Sequence, residues 1–222
     1  MTPALLRTAL PLLAAISLTA CNASETNMNP NASSESGLQP VVQERGAAKL
    51  NPNPKRGYGF VVTIENAPGP FEFAKGSAQY DVSNDDQCGH MNEWAGVSER
   101  ITSHEDVALT KVSDTEYHGI VYLDRMLDED YYGRGVCHWE LTAASVTLQA
   151  TGKDGETLFQ PAIFTDQLIA EGATELYFWK GRYPRSNMDD FKDSGSPTID
   201  RFKPELRSDL FKVTIKAQGP LP

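Results

Sequence analysis

Beyond residue 56 this chain alternates apolar and polar residues with a period of two, and the three-to-four spacing of a buried helix face is scarce. The runs "GYGFVVTIEN" (57–66), "GSAQYDV" (76–82) and "EYHGIVYLD" (116–124) each place their apolar side chains on one face of an extended strand. "CHWELTAASVTLQAT" (137–151) is a longer β-rich run, and "KDG" at 153–155 supplies a hairpin turn before "ETLFQPAIF". "TELYFW" (174–179) and "LFKVTIKA" (210–217) follow, and only "MDDFKDS" (188–194) reads as one or two helical turns. Short strands parted by turn signals, without the helices that a parallel sheet needs as crossovers, predict an all-β fold. The expectation is a single antiparallel β-sandwich or barrel-like domain over 55–222, long enough for one hydrophobic core.

Ahead of that domain the composition changes twice. Residues 22–54 are rich in Asn, Ser, Pro and Glu and poor in large apolar side chains, so burial cannot offset the entropy of ordering them. They read as a disordered tether with a random-coil reach of roughly 30 Å. Residues 1–20 read as a signal peptide: Arg7 supplies the positive start, and 9–18 is almost wholly apolar but too short to stay in a bilayer as a helix. "LTAC" (18–21) at its end resembles the lipobox of bacterial lipoproteins, where cleavage falls just before the cysteine. The resemblance implies that Cys21 becomes a diacylated, N-acylated first residue. It divides the chain into a lipoprotein signal peptide (1–20), a lipidated cysteine with flexible tether (21–54) and the β-rich domain (55–222). Each buried methylene contributes roughly 0.8 kcal/mol, so two or more acyl chains hold firmly where one does not. Asn22, where an Asp would stand in retained proteins, resembles the Gram-negative pattern sent to the outer membrane. A lipid-anchored, periplasm-facing location is expected.

With Cys21 assigned to lipid, Cys88 and Cys137 remain. In an oxidising compartment the two are expected to pair. Their loop of about fifty residues gives the bridge roughly 4 kcal/mol in the chain-entropy account. His90 and His138 lie close by, but C-x-H and C-H are not usual zinc spacings, and adjacent strand residues point to opposite faces. No metal and no cofactor is expected.

The catalytic candidates are weak. "DSGSP" (193–197) lacks the G-x-S-x-G elbow that exposes a nucleophile. His104 in "SHED" has Glu105 and Asp106 beside it to orient an imidazole base, although a surface loop histidine has the same neighbours. Asp85, Asp86, Asp128, Glu129 and Asp130 include the residue types of a paired-carboxylate site, but nothing sets two environments apart. No phosphate-cradling glycine loop precedes a helix. A protein without enzymatic activity is expected.

The formal net charge of −10 disfavours nucleic acid and anionic lipid as partners and steers a basic protein toward the chain. "DEDYYGRG" (128–135) joins the carboxylates of Asp128, Glu129 and Asp130 to the amphipathic rings of Tyr131 and Tyr132 and the fork of Arg134. Its alternative is a plain hairpin loop whose tyrosines cover the edge of the core. The connection 179–209 is about thirty residues long, more than two strands need, and carries a basic-aromatic cluster of Arg182, Tyr183 and Arg185. Its alternative is a packed covering for one sheet edge.

An export signal with a lipobox, a polar leash and an acidic β-rich domain together resemble the immunity lipoproteins of xanthomonad-type bacteria, which accompany antibacterial effectors of a type IV secretion system. "MLDEDYYGRGVCHWELT" (126–142) and "YFWKGRYPRSNMDDF" (177–191) carry the likeness. It implies a periplasmic immunity or inhibitor lipoprotein that binds a cognate toxin, a basic secreted protein, and neutralises it by occluding its cleft. The alternative is a non-catalytic scaffold or accessory lipoprotein of an envelope assembly. "KGSAQY" (75–80) is also similar to the inhibitory S-G-x-x-A-K-Y loop of periplasmic lysozyme inhibitors, with Gln79 where that family has its lysine. Replacing Cys21 by Ser should move the exported protein from the detergent phase to the aqueous phase on Triton X-114 partitioning. Unchanged partitioning would show that no lipid is attached there.

Overall fold

Phe60, Val62 and Ile64 of β1 (Gly57–Glu65) turn inward and are buried, as the alternation requires. The computed structural model describes residues 48–221 apart from Glu93 and Ala95. The signal peptide, Cys21 and the tether up to residue 47 lie outside the described residues. After β1 come β2 (Phe73–Val82), a single turn α1 (Asp85–Cys88), and the two-residue strands β3 (Met91–Asn92) and β4 (Val97–Ser98). β5 (Thr102–Val107), β6 (Leu109–Ser113), β7 (Glu116–Tyr122) and the long β8 (Trp139–Gln149) follow. The chain continues through β9 (Leu158–Phe159), β10 (Ala162–Phe164), α2 (Thr165–Ile169), β11 (Ala173–Trp179), β12 (Lys192–Asp193) and β13 (Leu210–Pro220).

These strands build an all-β sandwich. One sheet has the order β11-β13-β1-β7-β6 and is antiparallel throughout. The other runs β12-β9-β8-β2-β5, with β10 also against β8, and is antiparallel except at the parallel β12–β9 pair. β3 and β4 form a separate hairpin. The helical turns expected over 188–194 are replaced by β12, because the carbonyls of Phe191 and Asp193 accept from the Leu158 and Gln160 N–H groups at 2.9 and 2.7 Å.

β8 shows how one long strand serves the core along its whole length. Trp139 and Leu141 face inward at its start, and Ala144, Val146 and Leu148 face inward beyond. The phase changes because Gln79 opposes Ala143 while Tyr80 opposes Leu141, which leaves Thr142 as the extra residue of a bulge. Between the sheets, rings meet at close range. Phe159 lies edge-on to Phe211 at 5.2 Å and to Phe178 at 5.7 Å, Phe178 stacks on Phe211 at 5.2 Å, and Phe71 adds a contact to Phe159 at 5.7 Å.

The two sides of the sandwich differ. The connection between β11 and β13 laces one side shut: Ser196 pairs with Tyr177 of one sheet, and β12 pairs with β9 of the other. On the opposite side, among the described residues, only Ala108 carries the chain across, between β5 and β6. Residues 48–54, expected in the tether, are pinned to the domain. Leu50 pairs with Met126, Asn51 N–H donates to the Arg125 carbonyl at 2.7 Å, and Leu127 N–H donates to the Lys49 carbonyl at 2.9 Å. Ordered structure therefore begins ahead of Lys55. Among the described residues no helix is long and apolar enough to cross a membrane.

The expected disulfide is present. Cys88 and Cys137 are bonded with Cα atoms 5.3 Å apart, both fully buried, and tie α1 to the start of β8. Replacing both cysteines by serine should lower the unfolding free energy by roughly 4 kcal/mol, because a loop with a sequence separation of 49 is no longer closed in the unfolded chain. A urea midpoint equal to that of the parent would show that the bridge does not hold this corner.

Candidate functional site

The acidic segment 128–135 folds as a corner around the disulfide. Asp128 secures the start of β8: one carboxylate oxygen accepts the Trp139 N–H at 2.9 Å, and the other meets His138 Nδ1 at 2.9 Å. Glu129 bridges through its backbone to Cys137 and through its carboxylate to Lys49 Nζ at 2.5 Å. Asp130 caps the turn, accepting the Arg134 N–H at 3.0 Å. Desolvation works upward on its pKa, but the N–H groups of Gly135, Arg134, Gly133 and Tyr132 outweigh it and hold the carboxyl below its ordinary value. Gly133 and Gly135 sit at φ +71° and +127°, where a side chain would be strained, so the tight backbone read from sequence is realised.

The rings and the arginine of this corner point elsewhere. The Tyr131 hydroxyl donates to the Leu127 carbonyl at 2.6 Å, and its ring stands edge-on to Trp139 at 6.4 Å. Tyr132 is half-buried against the core, and the Arg134 guanidinium donates to the Gly89 carbonyl across the disulfide. The carboxylates of Asp128 and Asp130 remain at the surface, while the tyrosines cover the core edge.

The basic-aromatic cluster of the 179–209 connection is likewise held within the domain. Arg182 donates to the buried Asp193 carboxylate at 2.7 Å and lies over the Phe191 ring at 4.8 Å. The Tyr183 hydroxyl donates to the Pro70 carbonyl at 2.6 Å, and its ring meets Phe71 edge-on at 5.5 Å. Arg185 donates to the Asp154 carbonyl at 2.7 Å. Ser196, from the "DSGSP" candidate, is buried and donates to the Thr198 carbonyl.

The open side holds a concavity of about 610 Å³. Phe60, Val107 and Val121 give it apolar walls, Tyr80, Glu105 and Arg125 are its principal polar groups, and Ile120 and His118, on the solvent face of β7, line its rim. Gly119 lets the wall close up: a Cβ there would fall 2.3 Å from the Phe60 ring. Glu105 takes one hydrogen bond, from the Ser103 hydroxyl at 2.7 Å, and pairs with no lysine or arginine among the described residues. Among the described residues Arg125 donates a hydrogen bond only to the Asn51 carbonyl, at 3.4 Å. Tyr80 is buried and donates to the Tyr122 carbonyl at 2.7 Å. Burial, then the Arg125 charge pulling down and the Glu105 charge pushing up, leave its phenol well above its ordinary pKa and hence a neutral donor.

Sequence reasoning had noticed Glu105 only as a partner for His104. On β5 the two face opposite ways, so Glu105 cannot orient that imidazole, and Glu105 and Asp106 cannot flank one substrate as acid and base. The parity of Val107, which packs against the core, would have placed Glu105 on the inner face. "KGSAQY" is interior to β2, between β8 and β5, with Tyr80 in the core, so it does not form a projecting loop. Among the described residues no three or more His, Cys, Asp or Glu side chains are grouped to hold a metal ion.

On the outer face of the same sheet, Asp81 is surrounded by donors: Gln79 at 2.8 Å, Thr102 at 2.5 Å, Thr142, and Arg100 at 3.0 Å. Burial raises its pKa, and the bonds from Thr102, Thr142, Gln79 and Arg100 overcome this and hold it at about 2. No protein-family model, no curated protein and no solved structure matches the chain. Because the Asp81 pKa is depressed on folding, its contribution is full above pH 4 and is lost as pH falls toward 2. Asp81→Asn should therefore remove about 2 kcal/mol of the stability lost between pH 5 and pH 2, read as a flatter pH dependence of the urea midpoint. Parallel curves for parent and variant would show that the network does not favour the ionised carboxylate.

Proposed function

We propose that this chain is a lipid-anchored immunity or inhibitor protein, facing the periplasm from the outer membrane, that binds a basic secreted toxin and neutralises it by covering its cleft. The observation that carries this reading is the open side of the sandwich: a groove in which Glu105 has no cationic partner among the described residues, on a chain of net charge −10. A domain braced by a disulfide and laced along one side loses little freedom on binding, and its charge steers a basic partner from a distance. The acidic corner extends that field to the mouth of the groove, since only Met126 and Leu127 separate Arg125 from Asp128. In this reading Asp128, Glu129 and Asp130 are steering charges. Tyr131, Tyr132, Arg134, Arg182, Tyr183 and Arg185 hold the shape that is presented.

The test uses a toxin-like secreted protein encoded beside this chain. Its export into the periplasm of a surrogate host should arrest growth, and co-export of this chain should restore it, while the same chain retained in the cytoplasm should not. Arrest under both conditions would remove the immunity reading in favour of a scaffold role.

A further inference from the structure

The groove is bounded by strand edges that no other strand covers among the described residues. In the β1–β7 ladder, Leu123 N–H donates to the Arg56 carbonyl and Ile64 N–H to the Thr115 carbonyl, each at 2.9 Å. Odd-numbered residues of β7 are thus bonded to β1, and even-numbered ones turn their main chain the other way. β6 accompanies β7 only as far as Gly119, opposite Leu109. Past that point the Ile120 carbonyl and the Tyr122 N–H face the opening, with no strand beside them among the described residues. The Tyr122 carbonyl is already taken by the Tyr80 hydroxyl. β5 shares this property. Val82 N–H donates to the Ile101 carbonyl at 3.0 Å, so the main chains of Thr102, His104 and Asp106 face outward from an edge strand.

Edges of this kind are ordinarily blunted by proline, lysine, a bulge or a charge turned inward. Neither β5 nor 120–122 contains proline or lysine, and the inward charge is Glu105. A guard against pairing needs one charge. This groove holds two of opposite sign, Glu105 and Arg125, neither in an ion pair among the described residues, against the apolar walls of Phe60 and Val121, with the 44 % exposed Ile120 at its rim. A carboxylate and a guanidinium in no ion pair among the described residues, next to backbone donors and acceptors that no strand there takes up, match the charged side chains and main chain of an extended peptide.

We infer, building on the protein-binding reading above, that this opening receives an extended segment of the basic partner as an added strand along the Ile120–Tyr122 edge. A lysine or arginine of that segment enters the groove onto Glu105. Main-chain hydrogen bonds supply affinity that is indifferent to sequence, and the charge in the groove supplies selectivity. Arg125 disfavours a second cation, so the segment that fits carries one basic residue and not a run of them.

The probe is a blocked six-residue peptide alternating threonine and valine around a single lysine, titrated into the mature lipoprotein in detergent. Saturable binding is expected, with slowed amide exchange at Tyr122, and a glutamate in place of the lysine should weaken binding by about tenfold. Glu105→Gln should erase that preference and Glu105→Lys should invert it, an outcome that a merely unfolded variant cannot produce. Equal binding of both peptides overturns the inference, as does no binding. A Glu105→Gln protein that pairs with itself while its peptide preference is unchanged also overturns it, since Glu105 would then be only an edge guard. Failure here with growth protection intact places the neutralising surface elsewhere on the domain. Peptide binding without protection leaves the groove standing and removes the immunity reading.

Discussion

The packing of Phe159 against Phe178 and Phe211 decides where this sandwich is closed and where it is open. Phe159 sits on a two-residue strand that meets β8 through the single pair Leu148–Phe159 and is flanked on its other edge by the equally short β12. So few ladder bonds cannot hold a sheet edge against its partner sheet. The rings can, because each close aromatic pair contributes about 0.5–1.5 kcal/mol beyond the area it buries. With that corner fixed, the 180–209 connection lies over it, and Arg182 neutralises an Asp193 that would otherwise be a buried, unpaired charge. Twisted sheets pressed together along one side diverge at the other. The groove lies at that other side, where among the described residues Ala108 is the one chain link between the edge strands β5 and β6.

Most of the core was legible from alternation. β1 and β7 lie within runs read as strands, β2, β11 and β13 each contain such a run and extend past it, and the core residues of these strands belong to the apolar phase. β5 and β6 were not legible, for a physical reason. An edge strand buries little, and the burial of β5 swings only between exposed and half-buried while β6 is exposed along most of its length. Without a strong apolar phase, the polar stretch "TSHED" (102–106) carries no period to detect, and the segment passes for a loop. The docking of residues 48–54 escaped for a related reason: it rests on backbone bonds and on the Asp124 carboxylate, which accepts the Lys55 and Arg56 N–H groups at 2.9 Å, and not on patterned side chains.

The candidate site suffered most from this blindness, because both groups that define the groove lie in or beside poorly patterned segments. Composition drew attention instead to Tyr131, Tyr132, Arg182, Tyr183 and Arg185, residue types that dominate interfaces. The same types serve equally well inside a domain, where a tyrosine hydroxyl finds a carbonyl and an arginine finds a buried carboxylate. Only the fold says which partner is nearer. For Arg182 it is Asp193, and for Tyr183 it is the Pro70 carbonyl on a loop far away in sequence. Glu105 looks unremarkable in sequence because nothing local reveals that its strand ends the sheet formed by the described residues.

Free strand edges are a hazard for any protein that can meet copies of itself, since one edge is a template for another. The hazard would be sharper for a chain confined to a membrane surface. Here the acidic surplus acts on two problems at once. Two copies approaching edge to edge bring like charges together, including Asp106, which stands exposed on β5, and Glu105 just inside it. A basic segment meets the same field as attraction. An inward glutamate that deters self-pairing and selects a cationic strand is therefore one device with two consequences, and the sign of the approaching charge determines which of them operates.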